Sequence, residues 1–230
     1  MKIPRVNAKT WHSVHISFEM PILHSYVDGI ERQIQESKNE YASRAQVVEE
    51  IEIPEENLYQ VVTMIDGLDD ATYSFEAIFD DYFPQLQRRT ALITLYSFFE
   101  FEFLALCQMY DAAFDPRRYN AAKGSYLAKC FHLLTTTGGL NISLAEASWL
   151  EIDDGVRVVR NCVVHNDSKL PDQGTDDRTK VDKHLRDYPY LVKLERKTIV
   201  LEKGYIEHVL GVFDQLCKMV DMAINPKPKV

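Results

Sequence analysis

The pattern of apolar and polar positions along the chain predicts a mainly helical protein. The stretch from Arg88 to Ala112 is apolar on nearly every side, so we predict that it forms the central helix. The stretch from Lys203 to Ile224 repeats apolar residues at three- and four-residue spacing, which predicts an amphipathic closing helix. The residues of this helix that are predicted to face the core are Ile206, Val209, Leu210, Phe213, Leu216, Cys217 and Val220.

The N-terminal third of the chain predicts two helices with polar surfaces. Residues Val14 to Ile53 are rich in helix-forming residues and in charge pairs at helical spacing. A second helix is predicted from Pro54 to Leu68, because proline is well tolerated in a first helical turn. We therefore predict a helical extension over residues 1–82 and a separate helical domain over residues 83–230.

Turn-forming residues divide the second predicted domain into shorter elements. Residues Asp115 to Arg118 predict a loop, and Ser125 to Thr136 predict a helix that stops at the glycine pair Gly138-Gly139. Ser143 and Glu146 have the spacing of a capping box, which predicts the start of another helix. That helix is predicted to continue, with a break near Gly155, into the stretch that follows.

Two short runs of β-forming residues precede the closing helix. Leu191 to Leu194 and Thr198 to Leu201 predict a hairpin around Glu195-Arg196-Lys197. An isolated hairpin is marginally stable, so this one is expected to pack on the helices.

The stretch from Asp153 to Asp167 carries the polar residues that point most clearly to chemistry. Read as a helix, it places Val156, Val159 and Val163 on an apolar side, and the polar residues between them are Arg157, Arg160, Asn161 and His165. Asn161 and His165 are four residues apart and share a face. Arginine is long and the helix should fray near Asn166-Asp167, so Arg160 and His165 are expected to converge on one anion.

A fixed cation, an amide and a histidine suit the chemistry of phosphate esters, because histidine exchanges protons near neutral pH. The alternative interpretation is a capped surface, in which Asn161 and His165 bond only to water or to the backbone. Spacing alone does not separate these two interpretations.

The segment from Arg160 to Asn166, RNCVVHN, resembles the Arg-x4-6-His motif of HEPN domains in the form with asparagine after the arginine. The earlier stretch Ser97 to Cys107, SFFEFEFLALC, resembles the aromatic-rich helix with glutamate that precedes this motif in many HEPN proteins. The resemblance spans roughly Phe83 to Ile224. Asp167 stands where HEPN toxins paired with nucleotidyltransferase antitoxins often carry tyrosine, which argues against that subtype.

The resemblance implies an antiparallel helical bundle that acts as a metal-independent endoribonuclease. HEPN domains are often ribonucleases of prokaryotic defence and toxin–antitoxin systems, and they typically form homodimers with the motif at the interface. The expected partners are therefore RNA, a second copy of the chain, and an antitoxin or regulatory protein. No cofactor or metal is expected. The alternative is a non-catalytic HEPN-like module that binds a protein or a ligand.

The resemblance assigns roles to particular residues. Arg160 and His165 are the expected catalytic pair, assisted by Asn161, and Arg157, Asn166 and Lys169 are expected to bind the substrate. The mechanism implied is attack by the ribose 2′-OH, with His165 as base or acid and Arg160 stabilising the phosphate.

Two carboxylates in the apolar central helix need an explanation, because buried carboxylates require partners. Glu100 aligns best with the acidic position of the family, and one interpretation is a charge-assisted pair with Arg160. The other interpretation is that Glu100 is solvated or caps a helix edge. Glu102 is expected to be the more exposed of the two.

The charge of the chain is unevenly distributed. The net charge is −9, yet residues 1–81 alone hold 6 Lys and Arg against 16 Asp and Glu. Residues 157–197 hold 10 basic and 7 acidic residues, which permits a few phosphate contacts but argues against broad coating of RNA. Lys169, Arg178, Lys180 and Lys183 are candidates for guiding a phosphate backbone, and the alternative is that they form a solvated surface.

Cysteine usage and hydropathy predict a cytoplasmic protein without a membrane partner. Cys107, Cys130, Cys162 and Cys217 are isolated in apolar surroundings and are expected to be reduced core thiols. The longest apolar run, Ala91 to Cys107, falls short of the roughly 20 residues that a membrane span needs. The first residues do not resemble a signal peptide.

Overall fold

The computed structural model describes residues 7–53, 58–110 and 116–226. The protein is mainly helical, as predicted. The α-helices of the described residues are α1 Ser17–Glu40, α2 Phe83–Tyr110, α3 Pro116–Ala121, α4 Tyr126–Thr136, α5 Glu146–Glu151, α6 Arg157–His165, α7 Asp176–Asp187 and α8 Tyr205–Ile224. The strands are β1 Gln46–Ile53, β2 Leu58–Ile65, β3 Leu68–Asp69, β4 Val192–Glu195 and β5 Thr198–Leu201.

The chain divides into two compact units at positions other than the predicted boundary at residue 82. One unit comprises residues 28–88, and the other contains residues 7–27 together with 89–226 among those described. Residues 7–27 therefore belong to the same unit as α3 to α8.

The smaller unit contains a sheet where the sequence predicted helices. Strands β1, β2 and β3 form an antiparallel sheet in that order, so the predictions of helix to Ile53 and from Pro54 to Leu68 were wrong. Residues 54–57, at the start of the second predicted helix, lie outside the described residues. The predicted helical extension over residues 1–82 is therefore partly β.

Local β signals explain why helix propensity did not decide this region. Both strands contain valine pairs, and β-branched residues favour a pleated conformation. Asp66 and Gly67 have φ values of 51° and 84°, and Ile65 pairs with Leu68. This two-residue connection with positive φ at both positions matches the type I′ turn that Asp-Gly strongly favours.

The larger unit is organised around α2 and α8. Tyr96 and Phe99 of α2 are buried, and the Phe99 ring stacks on Phe213 of α8 at a centroid distance of 4.1 Å. Tyr96 packs against the same Phe213 ring edge-on. All of the residues predicted to face inward on the closing helix are buried, so both the central and the closing helix are confirmed.

The predicted hairpin is also confirmed. β4 pairs with β5 from Val192↔Leu201 to Glu195↔Thr198, which leaves Arg196 and Lys197 as a two-residue turn. Both turn residues have positive φ. The hairpin packs as expected, because Ile199 and Leu201 are fully buried.

Two local predictions in this unit need correction, and one helix was not predicted. The predicted loop at Asp115–Arg118 is wrong, because Pro116–Ala121 forms a helix with proline at its first position; Asp115 lies outside the described residues. The predicted capping box is not formed, because α5 starts at Glu146 after a 3₁₀ turn and has no side-chain cap. Helix α7 was not predicted, since most of its residues are polar.

One described helical stretch, Ala77–Tyr110, is long and apolar enough to cross a membrane by length and composition alone. Its most apolar window has a mean hydropathy of 1.5 and is half buried within the protein. The core helix of a globular domain meets the same criteria, so this stretch gives weak evidence for a membrane span.

Candidate functional site

The helix that carries the motif is continuous with α5 but contains a wide turn. Residues Ile152–Val156 form a π-helical turn between α5 and α6, which is the structural form of the break predicted near Gly155. The ring of His184 lies against Gly155 so closely that a Cβ at residue 155 would come within 2.3 Å of Nδ1. Single π-turns inside α-helices are frequent at functional sites.

A cavity of about 400 Å³ lies beside α6, and we call it the Arg160 cavity. Arg160 Nη1 donates a hydrogen bond to Asn161 Oδ1 at 3.1 Å, and the guanidinium lies 5.4 Å from the centre of the Tyr96 ring. The cavity is lined by Tyr96, Glu100, Gly124, Ser125, Tyr126, Ala128, Asp153, Arg157, Arg160 and Asn161.

Two buried polar atoms beside this cavity have no hydrogen-bond partner among the described residues. They are Arg160 Nε and Tyr96 Oη, and Tyr96 is only 1% exposed. Buried polar groups in native proteins are nearly always bonded, so these two atoms are exceptions that an ordered water or a functional role of the site would account for.

The second arginine of the cavity is already paired. Arg157 Nε donates to the Asp153 backbone oxygen at 3.0 Å and to Asp153 Oδ1 at 2.8 Å. Ser125 Oγ approaches the same carboxylate at 3.4 Å and also caps α4 by accepting from Ala128 N–H. These bonds hold the start of α4 beside α6, and Arg157 therefore contributes position more than free charge.

Glu100 lies in the Arg160 cavity, as the expected pairing required. It is partly buried, and burial raises the pKa of its carboxyl while the Arg160 guanidinium acts in the opposite direction. Across the described ranges no ion pair within 4.0 Å and no hydrogen bond joins Glu100 to another side chain. The two groups therefore share a cavity without being locked to each other.

The expectation that Glu102 is the more exposed carboxylate was wrong. Glu102 is 2% exposed, Trp11 Nε1 donates to its Oε2 at 3.2 Å, and His15 Nδ1 lies 3.0 Å from the same oxygen. Both partners come from residues before α1, which no local pattern in α2 could indicate. Glu102 is thus an internal structural carboxylate.

His165 is the last residue of α6 and opens to a different place. The structure does not put it in the Arg160 cavity, and the expected convergence with Arg160 is not seen in this single chain. We call its surroundings the His165 opening, which is lined by His165, Asn166, Asp167, Lys169, Leu170, Pro171 and Asp172. Two predicted substrate-binding residues, Asn166 and Lys169, are therefore beside His165, and the third, Arg157, is beside Arg160.

The turn after His165 is held in an uncommon conformation. Asp167 and Ser168 both have positive φ, at 49° and 62°. Ser168 is fully buried, its N–H donates to Cys162 O at 2.9 Å, and its own carbonyl accepts from Ile199 N–H of β5 at 2.8 Å. Non-glycine residues in this left-handed backbone conformation carry strain, and such residues cluster at active sites and ligand clamps.

Three basic residues of α7 form ion pairs with neighbouring carboxylates. Arg178 pairs with Asp182, Lys183 pairs with Asp187, and Lys180 bridges Asp154 and Asp176. These contacts favour the interpretation of a solvated, ion-paired surface over that of a track for a phosphate backbone. Lys169, at the His165 opening, is the one of the four candidates that remains beside the motif.

A second polar cluster, which the sequence did not indicate, involves Glu151 at the end of α5, His184 of α7, and Tyr205 and His208 of α8. His184 Nε2 is 3.0 Å from Tyr205 Oη, and burial lowers the pKa of His184 to about 4. His208 Nε2 is 2.6 Å from Glu151 Oε1. Burial alone would raise the pKa of Glu151, but hydrogen bonds from His208 and Tyr188 lower it overall. This cluster is internally satisfied.

No group of three or more His, Cys, Asp and Glu side chains within the described ranges is arranged to hold a metal ion. Neither a family model, nor a curated protein, nor a solved structure matches the chain. The function is therefore argued from the residues of the chain and the geometry of α6.

Proposed function

We propose that the chain is a metal-independent endoribonuclease with a HEPN-like helical architecture. The observation that carries the proposal is the content of α6. This nine-residue helix contains Arg160, whose guanidinium is fixed in a cavity by Tyr96 and Asn161, and ends at the exposed His165. A cation held in place can stabilise the charge on the phosphate, and an exposed histidine can transfer a proton, and both effects assist cleavage of a phosphodiester bond.

The reaction follows from the chemistry of RNA. The ribose 2′-oxygen loses its proton to a base and attacks the adjacent phosphorus, and the bond from phosphorus to the 5′-oxygen breaks. The leaving oxygen takes a proton from an acid, and the products are a 2′,3′-cyclic phosphate and a 5′-hydroxyl. Arg160 stabilises the charge that develops on the phosphate oxygens.

Two copies of the chain complete the site in this proposal. One motif supplies one His165, whereas the reaction needs a base and an acid. In the proposed dimer, a two-fold axis near the end of α6 brings the two His165 residues together, one to act as the base and one as the acid. Val164 is 41% exposed beside His165 and suits such an interface.

The biological role that we propose is a defence or toxin-type effector of the cytoplasm, controlled by an antitoxin or another regulatory protein. The support for this role is the resemblance of the Arg160–Asn166 segment to the HEPN motif.

A second candidate is a non-catalytic binding module of the same architecture. The observation that favours it is that Arg160 already has protein partners and lies apart from His165 in one protomer. In that case α6 positions a ligand or a protein without transferring protons. The two candidates differ in a direct assay for RNA cleavage.

The test compares wild-type protein with Arg160→Ala and His165→Ala on mixed RNA in the presence of EDTA. We expect the wild type to cleave RNA, and we expect each variant to lose about 100-fold or more of the rate. Arg186→Ala and His132→Ala are matched controls, because both residues are exposed on other helices. Binding of RNA without cleavage would support the module, and cleavage that survives in either motif variant would reject the assignment.

A further inference from the structure

The Arg160 cavity has charges that select the kind of group it can hold. Arg157 is neutralised by Asp153, which leaves Arg160 and Glu100 as opposite charges in the same cavity. An occupant must therefore accept hydrogen bonds from a guanidinium and donate them to a carboxylate. A phosphate alone does only the first, and it would also face the like charge of Glu100.

A nucleotide satisfies both groups when its base donates to Glu100 and its phosphate accepts from Arg160. A carboxylate presents two neighbouring acceptor oxygens, so it is best matched by two neighbouring donors. Guanine alone among the four RNA bases has this pair, N1–H and the N2 amino group, on its Watson–Crick edge. In adenine and cytosine the amino group stands beside a ring acceptor, and in uracil one N–H stands between two carbonyls.

An aromatic side chain at the mouth of the cavity supplies the stacking surface that an unpaired base needs. Tyr126 lines the cavity and is 61% exposed. Its position is fixed by the Ser125 cap of α4 and by Gly124, whose φ of 106° is a conformation that other residues rarely adopt. Exposed aromatic residues beside a charged groove are the usual platforms for single-stranded RNA.

We propose that the Arg160 cavity is a guanine-specific subsite for single-stranded RNA, in which Glu100 reads the base, Tyr126 stacks on it and Arg160 holds the phosphate of that nucleotide. This inference rests on the proposed ribonuclease function and adds the substrate preference. It assigns Glu100 a role in specificity that differs from pairing with Arg160.

The test measures the binding of mononucleotides by calorimetry at neutral pH, which does not depend on cleavage. Wild-type protein should bind guanosine monophosphate about 10- to 100-fold more tightly than uridine monophosphate, because a bidentate base contact gives discrimination of that order. Glu100→Gln should lose this preference and shift towards adenosine monophosphate, since an amide presents one donor and one acceptor. Glu207→Gln, an exposed position on α8, is the matched control.

Two further variants separate the roles of the other residues. Tyr126→Ala should weaken the binding of all four mononucleotides about 5- to 100-fold and leave the order of their affinities unchanged, because stacking depends little on base identity. Tyr190→Ala, at a residue that is 90% exposed, serves as its control. Arg160→Ala should weaken the binding of guanosine monophosphate and leave the affinity for guanosine, which has no phosphate, unchanged.

Equal affinity for the four nucleotides, or a guanine preference that persists in Glu100→Gln, would overturn the subsite. Absence of binding at millimolar nucleotide would overturn it as well. A guanine preference in a protein that cleaves no RNA would reject the ribonuclease while keeping the subsite. Cleavage of RNA by a protein that binds the four nucleotides without preference for guanine would keep the ribonuclease and reject the subsite.

Discussion

Glu100 and Glu102 lie two residues apart on α2 and have opposite environments. Glu102 is buried and has two partners, Trp11 and His15, which come from 91 and 87 residues away in the chain. Glu100 is partly buried in a cavity, near a guanidinium to which it is not bonded. A carboxylate whose hydrogen bonds are already made contributes to the fold, whereas an unbonded carboxylate that lines a cavity is available for a ligand.

The first prediction concerns Glu102, the buried carboxylate, and has the largest effect on stability. Glu102→Ala should lower the free energy of unfolding by about 2–3 kcal/mol, because Trp11 Nε1 is left buried without an acceptor. Glu207→Ala, on the exposed face of α8, should change it by about 0.5 kcal/mol or less. Urea unfolding followed by circular dichroism measures both variants. If Glu102→Ala unfolds at the same urea concentration as the control, the buried network has no structural role.

The second prediction concerns Glu100, the carboxylate in the Arg160 cavity, and has a small effect on stability. Burial raises the pKa of Glu100 above its ordinary value near 4.5, with Arg160 opposing the shift. A carboxyl whose pKa is higher in the folded than in the unfolded state favours folding at acid pH. This contribution to stability is complete below the pKa of the unfolded state and is lost as the pH rises through the pKa of the folded state. Glu100→Gln should therefore match the wild type at acid pH and equal or exceed its stability at neutral pH.

Unfolding of the Glu100→Gln variant in urea at pH 4 and at pH 7 tests this sign. The expected result is a difference from wild type that moves in favour of the variant as the pH rises. A variant that loses stability relative to wild type between these two pH values would place Glu100 in a stabilising ion pair, and the contrast with Glu102 would fail.

The sequence predicted those parts of the fold that depend on periodicity within one element. The apolar spacing of α8 and the two β runs before it are local patterns, and both elements formed as expected. Strands β1 and β2 were missed because charged helix-forming residues outweighed the valine pairs and the Asp66-Gly67 turn signal. Tertiary pairing of the two strands overrode the helix propensity of the segment.

The candidate site shows a similar limit. Spacing placed Arg160 and His165 on one helix, and α6 ends at His165 as the predicted fraying required. Spacing could not show that the two side chains face different openings, because the strained turn at Asp167 and Ser168 and the start of α4 decide the surroundings. Gly124 and Tyr126 have no sequence relation to α6 that would reveal their place in the cavity.

The most direct test of the proposed ribonuclease mixes wild-type protein with His165→Ala protein under complete subunit exchange, verified with labelled subunits. RNA cleavage is measured at fixed total protein in EDTA. If p is the wild-type fraction, only p² of the dimers contain two intact motifs, so a site that needs both histidines should show activity proportional to p². An equal mixture should then retain one quarter of the activity. A straight line against p, with half of the activity at the equal mixture, would contradict the shared site, and the absence of cleavage by pure wild type would contradict the ribonuclease itself.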